Sequence, residues 1–115
     1  MAKLINTTQS QILAQTLHEA TNFWQRAKGL IGETSLGPGE ALWIHRCNSV
    51  HTWFMRFPID VIFVDRHLVV KSICFDLPPW RLSPWTFSAH SVVEFASGQP
   101  VVRATNKGDQ LDVAR

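Results

Sequence analysis

Short apolar runs separated by breaker residues make up most of the chain. Positions 4–8 and 11–17 read as two strands around a turn at Gln9-Ser10. Thr21 can cap a helix in which Phe23, Trp24, Ala27 and Leu30 recur at helical spacing. Gly29 and Gly32 then end it, because glycine takes the left-handed conformation that stops helices. LGPGE at 36–40 is a turn, and 41–44 is a brief apolar strand. Stretches 50–57 and 59–65 are strands split by Pro58. Arg66-His67 makes a tight connection, and 68–75 runs back as the hairpin partner. The tract DLPPWRLSPW at 76–85 holds three prolines and is expected to be irregular. A strand at 91–96, turns at Ser97-Gly98 and Lys107-Gly108, and a last strand at 110–113 complete the pattern.

Short strands at close spacing with one helix imply an α+β fold, mainly β. The expected architecture is a compact antiparallel barrel or sandwich-like sheet with one short helix packed on it. Residues 1–115 form a single expected domain. The apolar density of 59–65 and 68–75 makes their hairpin the expected central pairing, with the 23–30 helix over one side or end.

Composition narrows the class. Hydrophobic residues are 45% of the 115, as in ordinary globular domains, so disorder is excluded. Five Trp and seven Phe offer a core much aromatic bulk. The net charge is +2, from 11 Lys and Arg against 9 Asp and Glu, scattered without a basic block. Nucleic acid is therefore not an expected partner. No segment approaches the ~20 apolar residues of a membrane span. MAKLINTTQS lacks the apolar stretch of a secretory signal, so the expected place is the cytoplasm. Cys47 and Cys74 fit that place as free thiols.

The stretch SVHTWFMRFPIDVIFVD, 49–65, is the chemical puzzle. It reads as core strand yet carries His51, Arg56 and Asp60. Before Pro58, Val50, Thr52, Phe54 and Arg56 share one face, and His51, Trp53, Met55 and Phe57 the other. After it, both faces are largely apolar, which marks a strand covered on both sides and puts Asp60 near the core. A buried carboxylate needs donors. Backbone N–H groups freed by the bend at Pro58 can serve, as can Arg56 or Arg26. That structural role is the weightier reading of Asp60; an acid working in a pocket is the other.

Other constellations are weaker. Cys47 and His51, with Cys74 and His45, include the residue types of a soft-metal site, but Cys-x3-His is a loose spacing and no CxxC accompanies it. A small buried thiol beside a hydrogen-bonded histidine explains it as well. A Cys47–His51–Asp60 nucleophilic set would place thiol and imidazole about 13 Å apart along a strand, too far to hydrogen-bond unless the backbone turns at Asn48-Ser49. Trp80, Arg81 and Trp85 stand on the proline-stiffened loop and are either binding anchors or a lid over a barrel end.

RAKGLIG (26–32), VHTWFMRFPIDVIFVD (50–65), VVEFASGQ (92–99) and KGDQL (107–111), in that order, resemble the family known as domain of unknown function 192. The resemblance runs from about 13 to 113. Met55, Pro58, Asp60 and Asp65 stand where the family's central motif has them, and Arg26, Gly29 and Leu30 form a second match. Ile31, where the family often has Met, and Phe95-Ala96-Ser97 in the late motif are departures. The resemblance implies a mostly β domain with a packed helix and no established reaction.

The function expected from all this is a non-catalytic binding or interaction module for a peptide, a partner protein or a small ligand. Its expected binding residues are His51, Arg56, Asp60, Trp80, Arg81 and Trp85. An enzyme using the polar cluster around Asp60 is the runner-up, and a metal-binding domain comes third. No cofactor is expected.

Overall fold

The computed structural model describes residues 2–20, 37–45, 58–78 and 88–115. The helix expected at 23–30 and the strand expected at 50–57 lie outside the described residues. Seven strands are present among the described residues: β1 (Ala2–Asn6), β2 (Gln11–Ala20), β3 (Glu40–His45), β4 (Ile59–Val64), β5 (Val70–Leu77), β6 (Ser91–Ala96) and β7 (Leu111–Ala114). Among the described residues one short helix, α1 (Pro100–Arg103), stands between β6 and β7. The protein is mostly β, as expected.

The strands form one sheet in the order β5-β4-β6-β3-β2-β1-β7. It curls into a half-barrel. Its two outer strands meet at one corner, where Val69 bridges Gln110. There Val70 N–H donates to the Asp109 carbonyl at 2.9 Å, and Leu111 N–H to that of Leu68 at 2.9 Å. This corner pairing removes part of the exposed edge that an open sheet would leave.

Three details differ from expectation. The β4–β5 hairpin forms, but it lies at one end of the strand order and β3 takes the middle. The strongest apolar run thus earns a flank position, because β6 returns to cover the other side of β4. Secondly, β2 and β3 pair in parallel, with Leu17 opposite Ala41; the other strand pairs are antiparallel. Thirdly, β5 continues through Asp76 and Leu77, so the first two residues of the proline tract are strand; residues 79–85 of the tract lie outside the described residues. A bulge permits the longer strand. Ile59 pairs with Leu77 but Val61 with Cys74, so two β5 residues face Asp60. Asp76 absorbs the extra residue with φ +53°.

All six residues of β4 are buried, which bears out the reading of a strand covered on both faces. The inner face packs Leu4, Leu13, Leu17, Ala41, Ile62, Val64, Val93, Phe95 and Leu111 with Val102 of α1. The outer face carries a second cluster, Ile44, Ile59, Val61, Phe63, Leu77 and Val92. The hairpin turn is stitched by Asp65, whose Oδ1 accepts the N–H groups of His67 at 2.8 Å and Val69 at 3.0 Å.

Candidate functional site

Asp60 is fully buried at the inner end of β4. Its Oδ1 accepts from the Asp76 N–H at 2.8 Å, the donor turned inward by the bulge. Its Oδ2 accepts from the Gly98 N–H at 3.1 Å, in the turn after β6. Gly98 has φ +90°, a conformation glycine adopts without strain. Arg103 supplies the rest, Nε to Oδ2 at 2.9 Å and Nη2 to Oδ1 at 3.3 Å. A carboxylate has about four acceptor positions, and here four donors meet it. The reading of Asp60 as a buried carboxylate fed by backbone N–H and arginine holds, but the backbone donors come from the β5 bulge and the turn after β6 and not from a bend at Pro58. Among the described residues the arginine is Arg103; Arg26 and Arg56 lie outside them.

Arg103 also donates to Asp76 Oδ1 at 2.6 Å and to Ser97 Oγ at 3.0 Å, while its guanidinium lies 4.9 Å over the Phe75 ring. Ser97 Oγ bonds Asp76 as well. The Ser97 hydroxyl and then the Arg103 guanidinium hold the exposed Asp76 carboxyl below the usual carboxylate range. Asp60 thereby joins the β5 bulge, the β6 turn and α1 in one network.

A second buried carboxyl has the opposite surroundings. Val92, Glu94 and Ala96 alternate onto the outer face of β6. Glu94 pairs across to Leu42 on β3 and to Val61 on β4. It is 3% exposed, and its Oε2 has no hydrogen-bond partner. Burial pushes its carboxyl up to about 8. Glu94 is therefore a neutral acid near pH 7. Its row runs His18, Leu42, Glu94, Val61, Cys74 across β2, β3, β6, β4 and β5. Sequence reasoning passed over Glu94. The available signal was a lone acid in the apolar run VVEFA.

Cys74 is a half-buried free thiol at the far end of that row. Burial, and after it the Asp60 charge, push it up, so it stays a thiol at neutrality. His45 lies on the other, inner face, its ring 4.0 Å from that of Trp43. The sheet thus separates two members of the suggested Cys and His metal set, Cys74 and His45. Cys47 lies outside the described residues, as do His51, Arg56, Trp80, Arg81 and Trp85.

A second network lies at the corner where β5 meets β7. Asp109 Oδ2 accepts from Asn6 Nδ2 at 2.8 Å, Gln9 Nε2 at 2.8 Å and Asn106 N–H at 2.9 Å. The Asn106 N–H above all holds that carboxyl below its ordinary range. Like Asp60, Asp109 is consumed by framework donors.

The family model DUF192, described as Uncharacterized ACR, COG1430, matches residues 4–113. The chain belongs to this family. Its members include a relative in Pyrococcus abyssi (strain GE5 / Orsay), UPF0127 protein PYRAB11210, 31% identical over 118 residues that cover 97% of each chain. Among solved structures, a protein of unknown function from Novosphingobium aromaticivorans DSM 12444 superposes with a TM-score of 0.81 at 21% identity, over 96% of this chain and 82% of that one. A second, from Sinorhizobium meliloti 1021, superposes at 0.80 and 18% identity, over 97% and 91%. At such identities the likeness shows the shared fold. No helix among the described residues is long and apolar enough to cross a membrane.

Proposed function

We propose that this protein is a non-catalytic binding domain, and that its ligand reaches the buried Glu94 carboxyl on the outer side of the sheet as its polar anchor. The observation that carries this reading is the unpartnered Glu94 Oε2 in the middle of an apolar cluster. A buried polar atom without a partner is costly, and a ligand group that met it would recover that energy. Trp80, Arg81 and Trp85 belong to the same reading. The chain leaves β5 after Leu77 at the Asp60 end and re-enters β6 at Ser91 at the other, so their connection links opposite ends of β4. Ala89, on the return, packs on the outer cluster.

Asp60 weighs against the enzyme reading. Its acceptor positions are filled by donors of the fold, which leaves none for a substrate proton. His51 and Arg56, the partners that reading gave it, keep their place only as proposed binding residues. The free Cys74 thiol fits a reducing cytoplasmic setting.

The experiment is a 1H–15N NMR screen with small apolar fragments that carry one polar group each. Binding at this face shifts the amides of Leu42, Val61, Val92, Glu94 and Cys74 together, and the indoles of Trp80 and Trp85 with them. Shifts confined to Arg103, Ser97 and Asp76 would move the site to the Asp60 network and refute the proposal.

A further inference from the structure

No further inference is drawn: the strongest candidate, the partly exposed side-chain cluster of Arg103, Asp76 and Ser97 beside Phe75, where α1 meets the β5 bulge, belongs to the Asp60 network already described, in which one guanidinium is shared among Asp60, Asp76 and Ser97, and nothing among the described residues shows what ligand would take their place.

Discussion

Arg103 holds Asp60 through two nitrogens, Nε at 2.9 Å and Nη2 at 3.3 Å, across 43 positions of sequence. The contact makes α1 part of the sheet, although α1 has only four residues. Helices that short draw their stability from tertiary contacts and not from propensity. Truncation of Asp60 strands the N–H groups of Asp76 and Gly98 together with a guanidinium. D60A should therefore destabilise the protein by roughly 1–3 kcal/mol in chemical denaturation. An unchanged midpoint would show that Asp60 is not a framework residue.

Arg103 is asked for geometry as well as charge, since one guanidinium serves Asp60, Asp76 and Ser97. A lysine keeps the charge but not the planar fork. R103K should recover less than half of the stability that R103A loses, measured by urea denaturation. Full recovery would mean that charge alone suffices.

Much of this framework was legible in the sequence. The all-buried β4, the Arg66-His67 turn and the late turns at Ser97-Gly98 and Lys107-Gly108 follow from local pattern and turn chemistry. Asp60 as a buried acceptor followed from an acid in an apolar strand. Its donor did not. Arg103 sits in PVVR, too short a run to show a helical period, and only the fold brings it to β4. The parallel pairing of β2 and β3 depends on how the chain connects them, which no local signal states. Glu94 was missed for a related reason. By strict alternation VVEFA could send it to water, and its cost appears only once the outer face is known to be buried.

The two kinds of carboxyl predict an acid-shifted stability optimum. Glu94 has an ordinary value of 4.5 when unfolded and about 8 when folded. The folded state therefore holds the extra proton between those values. Its contribution is complete below 4.5 and is lost as pH rises through about 8. The slope is at most about 1.4 kcal/mol per pH unit. Asp109 is shifted the other way, below 3.8, so its contribution is present above that value and is lost as pH falls further. Unfolding free energy should accordingly peak near pH 4 to 5 and decline toward 8. E94Q should flatten that decline and be the more stable protein at pH 8. Equal slopes in wild type and E94Q would contradict this.

Cys74 should be a sluggish nucleophile, because burial and the Asp60 charge both disfavour its thiolate. Its alkylation by iodoacetamide at pH 8 should be slower than that of a free cysteine, and D60N should speed it. A faster reaction than free cysteine would reverse the assignment of Cys74 as an inert thiol.

The account turns on Glu94 being an unpartnered buried acid, and one measurement addresses it directly. A 13C NMR titration that follows the Glu94 side-chain carboxyl should give a midpoint near 8. A midpoint near the ordinary 4.5 would show a solvated or paired carboxylate and contradict the binding site built upon it.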